Sequence, residues 1–281
     1  MSDDATRAPA YFFGHSDHET RRLQLQARLF GAATRRMLVE AGVAPGMRVL
    51  DVGSGAGDVA LLAAELVGLA GAVVGVDSNP AILEVARARA EAAGAGNVAF
   101  RAGDVAGIPL DGGFDAVVGR CVLFFVPDPV GVLRRVASAV RAGGVVAFQE
   151  PGNAAHAPAA DAPAPLLDRV WGWIMDLYRR AGMDDQAGLH LFRWFREAGL
   201  PAPAMHLDAA VGGGPDWAGY EYMASLVRTL LPRLEATGVA TAADVGIETL
   251  AERLRAEVVA GGGAATTWSF VTAWARTPER D

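Results

Sequence analysis

The stretch Val49-Leu-Asp-Val-Gly-Ser-Gly-Ala-Gly-Asp58 decides the fold of this 281-residue chain. Arg48–Val52 is a short apolar run typical of a buried strand, and the Gly-x-Gly-x-Gly turn behind it opens a predicted helix from about Gly57 to Leu66. Glycine is needed in such a turn because the backbone bends sharply with positive φ and lets a ligand approach the main chain closely. The stretch therefore predicts a strand, a ligand-binding turn and a helix in succession.

The segments around this turn continue the alternation of strands and helices. A capping box at Ser16 and Glu19 predicts an amphipathic helix before the first strand. Behind the turn the pattern predicts strands at Ala72–Asp77, Val98–Gly103, Phe114–Gly119 and Val145–Glu150, helices opened by Asn79-Pro80 and Asp128-Pro129, and a turn at Gly143-Gly144. Strands that alternate with helices indicate a parallel sheet with helices on both faces.

The alternation breaks at Pro151–Pro165, an Ala/Pro-rich run without periodicity. We interpret this run as the start of an insertion over the functional site. The remaining pattern predicts an aromatic helix around Trp171–Tyr178, a helix near Leu189–Ala198, a strand near Ala204–Val211, two more helices and a last strand near Trp268–Ala275.

Composition excludes several classes of chemistry. The sequence contains no lysine, which excludes Schiff-base chemistry, a P-loop lysine and the Tyr/Lys pair of short-chain dehydrogenases. Its single cysteine, Cys121, excludes disulfide frameworks, Cys-rich zinc sites and three-cysteine iron–sulfur motifs. The net charge of −7 argues against a nucleic-acid partner, and no apolar run reaches membrane-spanning length. We expect a cytoplasmic protein without a metal site.

Aspartates follow the second and third predicted strands. Asp77 lies where a carboxylate can accept hydrogen bonds from both hydroxyls of a ribose. Asp104, within Gly103-Asp-Val105, can accept a hydrogen bond from the exocyclic amine of an adenine. Asp77 suits NAD as well as other adenosine cofactors, so that residue alone does not choose between them.

Taken together, the motif Asp-x-Gly-x-Gly-x-Gly at Asp51–Gly57, Asp77 and Gly103-Asp-Val105 resemble the core of class I S-adenosylmethionine-dependent methyltransferases. The resemblance extends over residues 48–150. It implies an α/β fold with a doubly wound, seven-stranded, mostly parallel sheet whose last strand is antiparallel, with helical cap insertions. We expect a single methyltransferase domain over residues 1–281, with its core in 45–150, 200–211 and 265–277 and its cap segments in 1–44, 151–199 and 212–264.

The resemblance also implies which residues bind the cofactor. By this resemblance Asp51 and the main chain around Gly53–Gly55 would hold the methionine part, Asp77 the ribose, and Asp104 with Val105 the adenine. Arg22 lies on a first helix similar to one that closes over the cofactor, where a guanidinium could pair with the cofactor carboxylate; a solvent-facing arginine is the alternative. The expected cofactor-binding residues are Asp51, Gly53, Ser54, Gly55, Gly57, Asp77, Ser78, Gly103, Asp104, Val105, Arg120 and Arg22.

Residues for the acceptor side are harder to select. His15, before the first helix, and Glu150, at the end of the fifth strand, are the candidate general bases, although a carboxylate at a strand end can also simply cap a loop. Aromatic residues behind Pro151 could line an acceptor pocket or serve only as core anchors. The candidate substrate-binding residues are His156, Trp171, His190, Trp194 and Tyr220.

The expected function is methyl transfer from S-adenosylmethionine to a small organic acceptor, for example a secondary metabolite, by in-line displacement in a capped pocket. Its product would be S-adenosylhomocysteine. One alternative is a protein that binds S-adenosylmethionine for a non-methylating cyclisation or rearrangement, or as a sensor. A second is an NAD(P)-dependent oxidoreductase, against which the Gly-x-Gly-x-Gly spacing argues. The sequence does not decide the oligomeric state, and a homodimer is one option.

Overall fold

The computed structural model describes residues 17–153 and 159–279. Within these ranges, seven strands form one sheet. In chain order the strands are β1 (Arg48–Val52), β2 (Ala72–Asp77), β3 (Val98–Ala102), β4 (Phe114–Arg120), β5 (Val140–Pro151), β6 (Ala204–Gly213) and β7 (Ala264–Arg276).

Helices connect most of these strands. They are α1 (Asp17–Glu40), α2 (Asp58–Val67), α3 (Pro80–Ala92), α4 (Pro129–Ala139), α5 (Pro165–Arg180), α6 (Ala187–Glu197), α7 (Gly219–Ala236), α8 (Ala242–Val245) and α9 (Leu250–Ala260). The predicted openings of α3 and α4 are confirmed, because the side chains of Asn79 and Asp128 each cap a helix whose first residue is proline. The predicted capping box at Ser16 and Glu19 lies outside the described side chains. Along the described ranges, no helix is long and apolar enough to cross a membrane.

The sheet has the strand order β3-β2-β1-β4-β5-β7-β6. Neighbouring strands from β3 to β5 pair in parallel, whereas β7 runs antiparallel to both β5 and β6. This arrangement confirms the expected fold class, including the antiparallel last strand. Because the parallel strands end at the same edge, the residues that follow β1, β2, β3 and β4 converge there.

The fifth strand differs from its prediction. We expected a turn at Gly143-Gly144 before a strand at Val145, but β5 already begins at Val140. Phe114 of β4 pairs with Val140 and Ala116 with Val145, so the intervening residues of β5 form a bulge. The bulge stays hydrogen-bonded because Gly143 donates its N–H to the carbonyl of Thr277 at 3.2 Å. A glycine pair therefore marks an irregularity within a strand here, not a chain reversal.

Two apolar clusters lie on the opposite faces of the sheet. Val117, Val146 and Phe148 belong to the cluster that includes α5, α6 and α7. The residues next to them along the strands, among them Ala116, belong to the cluster formed with α2 and α3. This alternation follows from the strand geometry, which points successive side chains to opposite faces. Burial on both faces accounts for the nearly continuous apolar sequence of these strands.

Candidate functional site

A cavity of about 1290 Å³ lies at the edge of the sheet where the parallel strands end. One end of the cavity is lined by the glycine turn after β1 and by the aspartates that follow β2 and β3. The other end is lined by aromatic side chains of α5, α6, α7 and β7. The cavity thus joins the glycine turn of the sheet core to the helices that cap it.

The glycine turn brings bare main chain to the cavity wall. Gly53 has a φ of 64°, and a Cβ atom at this position would lie 2.5 Å from Cγ2 of Val122. Both the backbone conformation and the close approach require glycine. Gly57 begins α2 with a φ of 84° but does not line the cavity; it lies close to Ala86 and Phe100 and serves the packing of α2.

Asp51 lies behind this turn and not in the cavity wall. Its side chain is fully buried, and its Oδ2 atom accepts a hydrogen bond from the hydroxyl of Ser54 at 2.7 Å. Burial raises the pKa of Asp51 to about 7, against the lowering effects of Ser54 and Arg120. We expected Asp51 to contact the methionine part of the cofactor, whereas the structure places it where it supports Ser54, which does line the cavity.

The two aspartates at the strand ends face the cavity. Asp77 accepts main-chain hydrogen bonds from Gly55 at 2.8 Å and from Asn79 at 2.9 Å, which fixes its carboxylate beside the turn. The carboxylate of Asp104 accepts the N–H of Ala106 at 2.9 Å. Each carboxylate oxygen has more than one lone pair, so both side chains can still accept hydrogen bonds from a ligand. The expected residues Ser78, Gly103 and Val105 also lie in this wall.

Two arginines line this end of the cavity together with its aspartates. Arg120 is buried and donates to Asp58 at 3.1 Å and to Thr34 at 3.0 Å. Asp58 also pairs with Arg89 at 2.6 Å, so a single carboxylate is shared between two guanidinium groups. Arg22 of α1 adds a further buried guanidinium to the wall. Each guanidinium has five N–H donors, so Arg22 and Arg120 can also donate charge-assisted hydrogen bonds to an anionic group of a ligand.

The capped end is largely aromatic and aliphatic, with Gln26, Asn153 and Asp184 as polar residues of its wall. Trp171 and Trp194 lie in the cavity wall, where the sequence analysis expected substrate contacts. Trp171 stacks against Trp268 of β7 with their ring centroids 6.2 Å apart. The ring of Tyr178 packs edge-on against Phe124 at 5.5 Å. Such a wall suits a flat apolar molecule, because aromatic rings offer a large contact area with few flexible torsions.

Glu150 holds the loop behind β4 and does not line the cavity. Its carboxylate accepts the N–H groups of Val122, Leu123 and Phe124 at 3.0, 2.9 and 3.1 Å. Burial nevertheless raises its pKa to about 7. The loop contains Cys121, whose φ of 57° is unusual for a residue with a side chain, and the three hydrogen bonds help to maintain it. The geometry thus supports loop capping, not the general base that we considered.

Two further candidates lie outside the wall. Tyr220 is buried against Trp217, with their ring centroids 5.0 Å apart, whereas Tyr222 faces the cavity. Residues two apart on a helix point about 200° apart, so the expected substrate contact at Tyr220 is corrected to Tyr222. His190 lies behind Asp184, which lines the cavity and is 2.6 Å from the imidazole. His15 and His156 lie outside the described residues.

Sequence reasoning missed several residues of the wall. The spacing of four between Tyr222 and Leu226 could have indicated one helical face toward the site. No local sequence pattern marks the other missed residues of the cavity wall, because each comes from a segment distant from the glycine turn. The missed wall residues that bear on the acceptor end are Gln26, Asn153, Asp184, Tyr222, Leu226, Trp268 and Phe270.

Comparison with known proteins agrees with this geometry. Residues 44–171 match the model of a family described as a methyltransferase domain. An arsenite methyltransferase of Aquipseudomonas alcaligenes is 38% identical over 135 residues, which cover 45% of this chain and 38% of that protein. An aklanonic acid methyltransferase of Streptomyces sp. is 37% identical over 130 residues, covering 46% of this chain and 59% of that protein. The chain thus matches less than two thirds of the length of these relatives.

A solved structure extends the similarity of the fold to the caps. Geranyl diphosphate C-methyltransferase from Streptomyces coelicolor, solved with S-adenosyl-L-homocysteine, aligns with 93% of this chain and 84% of its own at a TM-score of 0.54 and 16% identity. At that identity the match concerns the fold alone. The strand order, the glycine turn with its two strand-end aspartates and the matching family model lead to one conclusion: residues 44–171 form a methyltransferase domain of the class I, Rossmann-like S-adenosylmethionine-dependent type.

Proposed function

We propose that this chain transfers the methyl group of S-adenosylmethionine to a small organic acceptor bound at the aromatic end of the cavity. The observation that carries the proposal is the continuity of the cavity, which joins the glycine turn and strand-end aspartates to an aromatic wall. A methyl donor and an apolar acceptor could therefore meet in one space shielded from water. The substrates of the relatives, arsenite and aklanonic acid, differ too widely to name the acceptor.

The residues of the wall fit the cofactor. The glycine turn presents main chain to the cavity, because positive φ and the nearby Val122 exclude a side chain at Gly53, and the Asp77 carboxylate held by Gly55 can accept the ribose hydroxyls. Asp104 with the apolar Val105 suits the adenine. The guanidinium groups of Arg22 and Arg120 would attract the carboxylate of the methionine part.

The chemistry asked of the protein is limited. The sulfonium of S-adenosylmethionine supplies an activated methyl group, which leaves the chain to hold the acceptor in line and to exclude water. The aromatic wall suits the first task, since the rings of Trp171 and Trp268, which stack on each other, offer a flat surface against which an acceptor could lie. Glu150 is not needed as a base in this mechanism, in keeping with its position behind the loop.

Calorimetric titration of the protein with S-adenosylmethionine, S-adenosylhomocysteine and NAD tests the cofactor assignment. We expect the first two to bind and NAD not to bind; binding of NAD alone would contradict the proposal. Release of S-adenosylhomocysteine in the presence of candidate acceptors then separates methyl transfer from a non-methylating role. A protein that binds S-adenosylmethionine and converts an acceptor without releasing the demethylated product would support the cyclisation or rearrangement alternative.

A further inference from the structure

Gln26 of α1 is a polar side chain in the wall of the cavity that is only 5% exposed. Its Oε1 atom accepts hydrogen bonds from Nη1 of Arg22 at 2.7 Å and from the hydroxyl of Tyr222 at 3.3 Å. Because a guanidinium only donates hydrogen bonds, the contact with Arg22 determines which amide atom is the oxygen. The amide nitrogen of Gln26 is therefore the atom left for another partner.

The Nε2 atom of Gln26 has two N–H groups and donates to no atom within the described ranges. Because this atom is not one of the fully enclosed side-chain atoms of the described residues that lack a partner, its N–H groups are open to the cavity, where a ligand can accept their hydrogen bonds. Asn153, which is 8% exposed and also lines the cavity, is a second buried amide whose side chain makes no hydrogen bond with the described residues. Two amides thus offer polar contacts within a mostly apolar wall.

The position of Gln26 is central. Leu23, one turn earlier on the same helix face, approaches the glycine turn, since a Cβ atom at Gly55 would lie 3.9 Å from its Cδ1. Tyr222, the partner of Gln26 on the other side, packs against Trp268 with their ring centroids 4.8 Å apart. The amide therefore lies between the cofactor end and the aromatic end, where the reacting part of an acceptor would lie.

We infer that the acceptor is a flat, largely apolar molecule with an ionised enol or phenol oxygen that accepts hydrogen bonds from Nε2 of Gln26. This inference rests on the proposed methyl transfer. The guanidinium of Arg22, which donates to the same amide, favours a negative charge on that oxygen, and burial keeps the hydroxyl of Tyr222 protonated by raising its pKa. Gln26 acts as a positioning and specificity-determining residue.

The reaction then needs no proton acceptor in the transfer step. An electron pair of the ionised oxygen, or of the carbon conjugated with it, forms the bond to the methyl carbon. The bond between that carbon and the sulfonium sulfur breaks, and its electron pair stays on sulfur. The acceptor loses its negative charge and the sulfonium its positive charge, so charge and atoms balance without a base.

Two probes test the inference. 4-Hydroxycoumarin is a bicyclic enol that is ionised at neutral pH, and naphthalene is a bicyclic hydrocarbon without oxygen. Their affinities are measured by quenching of tryptophan fluorescence for the wild type and for Gln26→Glu, which keeps an oxygen for Arg22 and Tyr222 but replaces the N–H groups by a second oxygen. Gln26→Leu is the second variant, and Gln24→Glu places the same charge on the exposed side of the helix as a control.

We expect the wild type to bind 4-hydroxycoumarin more tightly than naphthalene. Either change at Gln26 weakens 4-hydroxycoumarin binding about tenfold or more, as for a lost hydrogen bond to a charged group, and leaves naphthalene within about twofold. Gln24→Glu changes neither affinity by more than about twofold.

A wild type that binds neither probe, or no preference for the enol, would overturn the inference. So would equal losses for both probes at Gln26, which would mean that the side chain only shapes the cavity. Titration of the wild type with S-adenosylhomocysteine is run in parallel. Failure of S-adenosylhomocysteine to bind would contradict the proposed function. The affinities of the two probes decide separately whether Gln26 binds an ionised oxygen.

Discussion

Asp77 is the residue on which the cofactor assignment most directly depends. Replacing it by alanine removes the acceptor of both expected ribose hydrogen bonds. Asp77→Ala should weaken S-adenosylhomocysteine binding by roughly 2–4 kcal/mol, as for lost hydrogen bonds to a charged group. Calorimetric titration measures this loss directly.

A matched control for this change is Asp111→Ala. Asp111 is an exposed aspartate that pairs with Arg101 on the surface, far from any role in the cavity wall. Its removal should leave the affinity for S-adenosylhomocysteine unchanged. An Asp77→Ala protein with native circular dichroism and undiminished affinity would contradict the ribose assignment.

Single residues differ in how far the sequence reveals their roles. Asp77 and Asp104 could be predicted because each lies at or close behind the end of a strand whose apolar pattern is clear, and the carboxyl ends of parallel strands meet. Gln26 could not, since it occupies one polar position on an amphipathic helix and gains its role only from contacts with Arg22 and the distant Tyr222. Hydrogen bonds between remote segments leave no periodic trace in the sequence.

At the scale of elements, the turn between β1 and α2 can be tested through its first glycine. Gly53→Ala introduces a Cβ atom both at positive φ and 2.5 Å from Val122. Gly46 has a similarly positive φ of 84° but no atom within 4 Å of the added Cβ. We therefore expect Gly46→Ala to cost about 1 kcal/mol of stability from backbone strain alone, and Gly53→Ala to cost about 1–3 kcal/mol more through the clash.

Urea unfolding followed by circular dichroism measures the free energies of unfolding of Gly46→Ala and Gly53→Ala. A folded fraction of Gly53→Ala should also lose affinity for S-adenosylhomocysteine, because moving Val122 displaces the wall of the cavity. Equal destabilisation of the two variants would show that the contact with Val122 relaxes freely and that only the backbone conformation requires glycine.

Elements were predictable where local signals were sufficient. The second strand, Ala72–Asp77, has the predicted bounds, because an apolar run is ended by a capping Asn79 and Pro80. The bulge at Gly143 was not predictable, since a glycine pair is equally compatible with a turn and only the pairing with β4 decides. Helical periodicity alone also does not decide whether Tyr220 or Tyr222 faces the cavity. The orientation of α7 in the fold decides it.

For the whole molecule, the doubly wound, seven-stranded sheet with its antiparallel last strand followed from the family resemblance, whereas the shape of the capped cavity did not. The cap combines α1, α5, α6 and α7 with the antiparallel β7, which come from both ends of the chain. Its aromatic residues looked the same in sequence whether they faced the core or the cavity. Only the tertiary packing separates Trp171, in the wall, from Tyr220, in the core.

The buried Glu150 makes the stability of the whole fold depend on pH. Burial raises its pKa from 4.5 to about 7, so between these values the folded protein keeps a proton that the unfolded chain releases. Stability from this group is therefore fully present below about pH 4.5 and is lost as the pH rises toward 7, by about 1.4 kcal/mol per pH unit. Glu150→Gln removes this titration. The free energy of unfolding of Glu150→Gln should therefore increase relative to that of the wild type as the pH rises.

Urea unfolding of the wild type and Glu150→Gln at pH 5, 6 and 7 measures this difference. Comparing the two proteins cancels the similar contribution of the buried Asp51, whose pKa is also raised to about 7. Glu84→Gln, an exposed change on α3, should run parallel to the wild type. If the free energies of unfolding of Glu150→Gln and the wild type differ by the same amount at all three pH values, the carboxylate stays ionised in the folded protein. The three N–H groups of residues 122–124 would then outweigh the cost of burial through charge-assisted hydrogen bonds.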